Sequence, residues 1–191
     1  SSQLAAVDSG IDSTKVAQID TNKNNISSVQ EQANWNTNNG VKNLLNFGDN
    51  RTQSGSGTLI FTLSNGVVTV NGTPTSDEFF NLEFIGIGGE MVLTGCPSGG
   101  SGSTYMQRIF STDGEVAAAY DYGDGSNVHN YDANVSYRFS IRIKSGYTAN
   151  NLVFKPMLRP AFTDTTFEPY AMSNAELTAA IQALQAQLAN Q

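Results

Sequence analysis

The residues of this chain that could do chemistry are few and widely spaced. It contains one histidine, His129, and one cysteine, Cys96. A Ser-His-Asp triad would depend on His129, but that residue lies in the polar, turn-rich segment GDGSNVHNYD, which is typical of an exposed loop. Cys96 precedes Pro97 and has no basic residue close in sequence, so we interpret it as a small buried residue at the end of a strand. We assign no catalytic residue and expect a protein that is not an enzyme.

Carboxylates are the second candidate group, because hydrolysis of glycosidic bonds needs two of them several ångströms apart. Asp113 and Glu115 form one pair in the sequence, Asp121 and Asp124 form another, and Asp132 lies farther along. All of them lie near turns, where aspartate commonly bonds its own backbone. The structural interpretation is favoured, and a polysaccharide depolymerase stays open as an alternative.

Metal and phosphate sites are poorly supported. The oxygens of Asp121, Asp124 and Asn127 in DYGDGSN would suit calcium, but the spacing and the terminal glutamate of an EF-hand are absent. One cysteine is too few for a cysteine-rich metal site. The segment PSGGSGS lacks the lysine and the following helix of a phosphate-binding loop. The sequence predicts neither a metal ion nor a cofactor.

Carbohydrate binding fits the composition best. Aromatic rings stack on the apolar faces of pyranoses, while Asp, Asn and Arg side chains bond their hydroxyls. Two places combine these types, the segment AYDYGDGSNVHNYD and the polar face of a strand at 135–144. The predicted ligand-binding residues are Tyr120, Asp121, Tyr122, Asp124, Asn127, His129, Tyr131, Arg138 and Arg142. The alternative is that the tyrosines cover a core edge and the arginines form a solvated face.

Net charge and hydropathy argue against nucleic acid and membranes as partners. The formal net charge is -7, with ten Lys and Arg among 191 residues, so bulk electrostatics do not favour nucleic acid. No apolar run approaches the roughly 20 residues that span a bilayer. The N-terminal SSQLAAVDSG has neither the basic start nor the apolar stretch of a signal peptide. We expect no membrane insertion, and a start at Ser1 without Met suggests a fragment of a longer chain.

The N-terminal segment, residues 1–40, is polar, with sparse apolar residues at coiled-coil spacing. Its predicted seam consists of Leu4, Val7, Ile11, Ile19, Ile26, Val29 and Ala33. The step of eight residues from Ile11 to Ile19, beside Gly10, indicates a break or a change of winding. We predict a coiled coil here, with a disordered polar linker as the alternative.

The central segment, residues 41–170, changes to a period of two, which predicts strands. In GTLIFTLSNGVVTVNG, the pair Asn65-Gly66 predicts a two-residue type I′ turn. Pairing across this turn sets Leu63 opposite Val68, so that one apolar face continues through both strands. The sequence therefore specifies the register of this hairpin.

Further strands complete a predicted β-sandwich. In VSYRFSIRIK one face is apolar and the other polar, which predicts a core side and a wet side. In EFFNLEFIG, Phe79 and Ile85 lie opposite the main apolar face, which predicts cover on both sides. We place Pro156 in the last strand, at an edge or bulge, because proline donates no backbone hydrogen bond. About eight strands at this spacing predict an all-β, eight-stranded jelly-roll β-sandwich.

The C-terminal segment, residues 171–191, is a predicted helix. Ser173 and Glu176 have the spacing of a capping box. The apolar stripe consists of Leu177, Ile181, Leu184 and Leu188. This stripe is narrower than the buried face of a globular surface helix, and a short isolated helix is marginal in water. We predict a C-terminal coiled coil of identical chains, with three helices favoured over two, and hence a homotrimer.

Three stretches resemble a known family. GCPSGGS at 95–101, IKSGYTANNLVFKPMLRPA at 143–161 and FEPYAMSNAEL at 167–177 resemble a module of tail and tail-fibre proteins from phages and prophages of Gram-positive gut bacteria. The resemblance covers roughly residues 43–177. It implies a jelly roll similar to carbohydrate-binding modules, carried on trimeric coiled coils at a fibre end or a baseplate. The N-terminal SGIDSTKVAQIDTNKNNIS also looks like the linking coils of such fibres.

The resulting expectation is a trimeric phage tail-fibre or receptor-binding protein. It would act in the virion tail, outside the cell, and recognise bacterial surface polysaccharide without catalysis. Weak individual sites suffice if three act together. Its other expected partners are tail or baseplate proteins. A fibre spacer without a ligand is the main alternative, and a depolymerase is the third.

Overall fold

The computed structural model describes residues 15–17, 19–24, 26, 42–86, 88–112, 117–173, 176–179 and 181–183, without the side chains of residues 117 and 118. The chain divides into two compact units, one formed by Val41–Met172 and the other by Ser1–Gly40 with Ser173–Gln191. Several predicted seam residues lie outside the described residues: Leu4, Val7, Ile11, Val29, Ala33, Leu184 and Leu188.

The unit Val41–Met172 is built from β-strands. Within the described residues there are eleven: β1 Arg51–Ser54, β2 Ile60–Ser64, β3 Val67–Gly72, β4 Glu78–Ile85, β5 Gly89–Thr94, β6 Tyr105–Ser111, β7 Ala117–Asp121, β8 His129–Tyr131, β9 Ser136–Ile143, β10 Ala149–Phe154 and β11 Met157–Pro160. The all-β prediction is confirmed. The predicted number of eight strands is too low, partly because the run at 149–160 contains two strands.

These strands form three antiparallel sheets. The first has the order β1-β2-β3-β10, the second β11-β5-β8 and the third β4-β9-β6-β7. The first and third sheets pack face to face. Phe61 of β2 contacts Phe80 of β4 with ring centroids 5.7 Å apart, and Tyr105 of β6 contacts Phe154 of β10 at 5.9 Å. The result is a sandwich-like β-domain whose core is rich in aromatic rings.

The β2–β3 hairpin forms as the sequence predicts. Asn65 and Gly66 both have positive φ, 48° and 74°, as a type I′ turn requires. Leu63 pairs with Val68 across the turn, and both side chains are buried. Local turn chemistry and alternation are sufficient to set this register.

The predicted core face of β9 is confirmed, but its predicted wet face is wrong in part. Phe139 and Ile141 are fully buried, as the core face requires. The opposite face is not simply wet, because Ser140 is only 1% exposed and Arg138 is half-buried. On β4, in turn, Ile85 is 59% exposed rather than covered. The outer face of the third sheet is therefore neither a second core nor a flat solvated surface.

The placement of Pro156 in the last strand is wrong, since it separates two strands that belong to different sheets. Before it, β10 pairs with β3 in the first sheet; after it, β11 pairs with β5 in the second. Lys155 N donates to Gly95 O at 2.8 Å. Proline has no N–H to continue a ladder, so the chain changes sheet at this residue.

The two ends of this unit lie side by side. Asn43 Nδ2 donates to Pro156 O and to Glu168 O, both at 3.0 Å, and its Oδ1 accepts from Leu158 N. Lys42 Nζ lies 2.7 Å from Asp164 Oδ1 and 3.3 Å from Glu168 Oε1. We call this group the terminal clasp.

Helical residues occur at 15–17, 19–24 and 26, and again at 176–179 and 181–183. The predicted capping box is present, since Ser173 N donates to Glu176 Oε2 at 2.8 Å and Glu176 N donates to Ser173 Oγ at 3.2 Å. The large apolar residues described in the two helical segments are about half exposed: Val16, Ile19, Ile26, Leu177 and Ile181. In the part of the chain that the structure describes, no helix has the length and hydropathy to cross a membrane.

Candidate functional site

A groove of about 320 Å³ lies on the outer face of the third sheet. We call it the cross-sheet groove, and its lining residues are Phe79, Asn81, Arg108, Phe110, Tyr120, Arg138 and Ser140. Its volume lies at the lower end of the ~300–1,000 Å³ typical of small-molecule sites. All four strands of the sheet contribute to it.

Strand register explains why these side chains meet. Asn81 of β4 pairs with Ser140 of β9, Ser140 pairs with Arg108 of β6, and Arg108 pairs with Tyr120 of β7. These four residues therefore form one row across the sheet. Since side chains directly opposite in neighbouring strands share a face, the row presents an amide, a hydroxyl, a guanidinium and a phenol together.

Aromatic rings hold Arg108 in the groove. Its guanidinium carbon lies 5.4 Å from the ring centroid of Phe79 and 5.0 Å from that of Phe110. Such cation–π contacts contribute about 0.5–2 kcal/mol each. Arg108 Nε is buried and has no hydrogen-bond partner among the described residues. The side chain lies against two aromatic rings, and none of its N–H groups donates a hydrogen bond to a described residue.

Neighbouring polar groups are better satisfied. Arg138 donates through Nη2 and Nε to Glu83 Oε1, at 2.7 and 3.2 Å, and its guanidinium also lies over Phe110. Ser140 Oγ donates to Asn81 Oδ1 at 2.5 Å. The Arg138 charge is thus balanced by a carboxylate, and the serine hydroxyl is oriented by the amide.

Two exposed tyrosines extend the groove. Tyr120 and Tyr122 are 43% and 40% exposed, and their rings are nearly parallel, 3° apart in plane with centroids separated by 6.1 Å. Their positions two residues apart place both on one face of the chain at the end of β7. They form a ring pair suited to stacking against the apolar face of a sugar.

Asp121 and Tyr131, both predicted to bind ligand, point into the protein. Asp121 is fully buried, and Oδ2 accepts from Cys96 N at 3.0 Å and from Gln107 Nε2 at 2.7 Å. Its Oδ1 accepts from the backbone N–H groups of Gly123 and Gly125 at 2.8 and 2.9 Å. Asp121 therefore organises the loop after β7, and its four bonds give it a structural role.

Burial also raises the pKa of two further groups, the phenol of Tyr131 and the thiol of Cys96. Tyr131 is 2% exposed, and burial raises the pKa of its phenol well above the ordinary value. Burial, together with the charge of Asp121, raises the pKa of the Cys96 thiol to about 12. Cys96 is a buried thiol, as the sequence predicts, and it is held in the protonated, unreactive form at neutral pH.

The remaining predicted residues do not line the groove. Asp124 and Asn127 are exposed in the loop before β8, and His129 is half-buried at the start of β8, in the second sheet. Arg142 lies on the outer face of β9, where its Nη2 donates to Gly102 O at 2.7 Å. Among the described residues no group of three His, Cys, Asp or Glu side chains is placed to hold a metal ion. The Asp113–Glu115 pair lies outside the described residues.

Each of the two predicted binding regions contributes one residue to the groove. Tyr120 comes from the segment AYDYGDGSNVHNYD, and Arg138 comes from the polar face of the strand at 135–144. Sequence reasoning missed five lining residues: Phe79, Asn81, Arg108, Phe110 and Ser140. One signal was available, since TYMQRIF alternates and places Arg108 and Phe110 on the face opposite Ile109. The pairing with β4 and β9 has no local signature.

Comparisons with known proteins find no relative for this chain: no family model matches it, and neither the curated proteins nor the solved structures contain a significant match.

Proposed function

We propose that this chain is a trimeric phage tail-fibre or receptor-binding protein whose β-domain, a jelly roll, recognises bacterial surface carbohydrate without catalysis. The residue types of the cross-sheet groove support the carbohydrate part of the proposal. The single observation that carries it is the row Asn81–Ser140–Arg108–Tyr120, which combines hydrogen-bonding groups with an exposed ring beside a second exposed ring. The phage part rests on the sequence resemblance.

An exposed apolar stripe supports the trimeric part of the proposal. Apolar side chains at Leu177 and Ile181 are 45% and 55% exposed in the described helix, beyond a capping box that fixes its start. Burial of such a stripe against identical helices would remove apolar area from water. Three grooves on one fibre would then bind a repeating polysaccharide with high avidity even if each groove binds weakly.

A spacer without a ligand is the second candidate, favoured by helical segments on both sides of the β-domain in the sequence. A glycan array probed with the full chain separates the two. A receptor-binding protein gives reproducible binding to a defined set of bacterial glycans, whereas a spacer binds none.

Substitution in the ring pair tests the location of the site. We expect Tyr120→Ala to lower glycan affinity by about tenfold or more, since loss of one stacked ring removes on the order of 1–2 kcal/mol. Thr62→Ala, on the exposed face of β2 in the first sheet, is the matched control and should leave binding unchanged. Undiminished binding by the Tyr120 variant would place the site elsewhere.

A further inference from the structure

The charge of Arg108 is the least explained feature of the cross-sheet groove. Arg138 has Glu83 as its partner, and Lys144 has Asp77 at 2.7 Å. Arg108 forms no salt bridge and no hydrogen bond with any residue that the structure describes, although it contacts two aromatic rings. Arg51, Arg142 and Arg159 also lack a salt bridge with any described residue, but each donates to a backbone carbonyl, and Arg108 does not.

The stacking geometry prepares this guanidinium for a ligand. The guanidinium carbon lies 5.4 Å from the Phe79 ring centroid and 5.0 Å from that of Phe110, and these ring contacts use none of its N–H donors in hydrogen bonds to described residues. Arginine donates hydrogen bonds and accepts none. Because the rings fix the side chain in advance, little conformational entropy would be lost on binding.

The lining of the groove complements this donor set. The described lining residues include two arginines and no carboxylate. A neutral sugar presents hydroxyls, which are commonly bound by carboxylates that accept from them, and this acceptor is missing from the described lining. The group that best matches a planar guanidinium edge is an oxyanion, which accepts two parallel N–H bonds.

We propose that the cross-sheet groove binds an acidic saccharide, one that carries a carboxylate or a phosphate, and that Arg108 binds the anionic group while Tyr120 stacks on the ring. This inference rests on the proposed function and specifies its ligand class. Arg108 is then the residue that discriminates acidic from neutral sugars. Asn81, whose amide nitrogen has no partner among the described residues, would donate to a ring substituent.

The test is an NMR titration of the full chain that follows the side-chain Nε–H of Arg108 in the wild type and the backbone amides of Asn81 and Tyr120 in all variants, since both residues line the groove. The probes are glucuronate, glucose, glucose 6-phosphate and acetate. We expect saturable shifts with an acidic sugar at an affinity at least about tenfold higher than for glucose, because a charge-assisted hydrogen bond contributes about 1.5–3 kcal/mol. Preference for glucuronate or for the sugar phosphate identifies the source of the anion.

Variants separate anion recognition from sugar recognition. Arg108→Gln should reduce binding of the acidic sugar to the level of glucose, and Arg108→Lys, which keeps the charge but not the planar edge, should do nearly the same. Arg51→Gln is the matched control, because Arg51 also lies over a phenylalanine, Phe80 at 4.9 Å, but on β1. It should leave the titration unchanged.

Each remaining outcome is decisive. Equal binding of glucose and glucuronate, insensitive to Arg108, would overturn the acidic-sugar inference and leave the proposed function standing. Acetate binding as tightly as glucuronate would overturn it as well, since the site would then be a simple anion site. Absence of any shift with the acidic sugars would overturn the acidic-sugar inference, and a glycan array to which the wild-type chain does not bind would overturn the proposed function as well.

Discussion

At the scale of single residues, the chemical type of a side chain does not show whether it can meet a ligand, because that depends on whether the side chain is buried. Asp121 and Tyr122 are one position apart in a segment that suggests sugar binding, yet Asp121 is fully buried and Tyr122 is 40% exposed. Asp121 ends β7 with its side chain directed inward, and Tyr122, the next residue, has its side chain at the surface, as alternation of an extended chain predicts. The inward carboxylate accepts four hydrogen bonds and so belongs to the fold.

Asp121 provides a prediction that separates stability from binding. Asp121→Ala would leave the donors of Cys96 N, Gln107 Nε2 and two glycine N–H groups without their acceptor, and we expect a loss of at least about 3 kcal/mol in the free energy of unfolding. Asp121→Asn, which keeps the shape and one acceptor oxygen, should cost less. Urea denaturation measures both.

The Asp121→Asn variant also tests whether this carboxylate takes part in glycan binding or in glycan hydrolysis. Folded Asp121→Asn protein should bind glycan as the wild type does, because the residue does not line the groove. A folded variant that loses binding, or loses release of reducing ends from a bacterial polysaccharide, would show that this carboxylate meets the ligand.

At the scale of elements, the change of sheet between β10 and β11 brings the backbone of Lys155 very close to that of Gly95. Gly95 has φ +104°, and a Cβ there would lie 1.7 Å from Lys155 O, while its own carbonyl accepts from Lys155 N. The backbones can approach this closely only because residue 95 has no side chain. Gly95 and Pro156 together allow the chain to pass from the first sheet to the second.

Gly95→Ala tests this crossing. We expect a loss of at least about 3 kcal/mol, or failure to fold, because the methyl group would overlap backbone atoms that cannot move independently. Gly102→Ala is the matched control, since a methyl group there would have nothing within 4 Å and the φ of Gly102 is not positive. Its urea midpoint should be close to that of the wild type. Equal midpoints for both variants would contradict the close approach.

The contrast between elements shows what sequence patterns can predict. The β2–β3 hairpin follows from Asn65-Gly66 and alternation, since all of its determinants are local. The groove does not, because Arg108 meets Asn81 and Ser140 only through pairings between strands that are far apart in the chain. Likewise, alternation continues through 149–160, and only the packing reveals that Pro156 ends one strand and precedes another.

At the scale of the whole molecule, assembly is the central expectation. We expect the full chain to sediment at micromolar concentration as a trimer, three times 20.4 kDa. Leu177→Asp together with Ile181→Asp should dissociate it, since charges on the stripe would oppose association. Ile85→Asp, at a residue equally exposed but on β4, is the control and should leave the mass unchanged. A wild-type monomer would contradict the trimer.

The terminal clasp determines where a pulling force on the chain would first act on the β-domain. Asn43 and Lys42, in the segment that enters the β-domain, bond to Glu168, in the segment that leaves it. Tension along the polypeptide would consequently act first on these few bonds and on β11, to which Asn43 is also bonded through Leu158 N, rather than on the first and third sheets. We therefore expect a chain pulled from both ends to break the terminal clasp before the cross-sheet groove, which lies on the third sheet, is deformed.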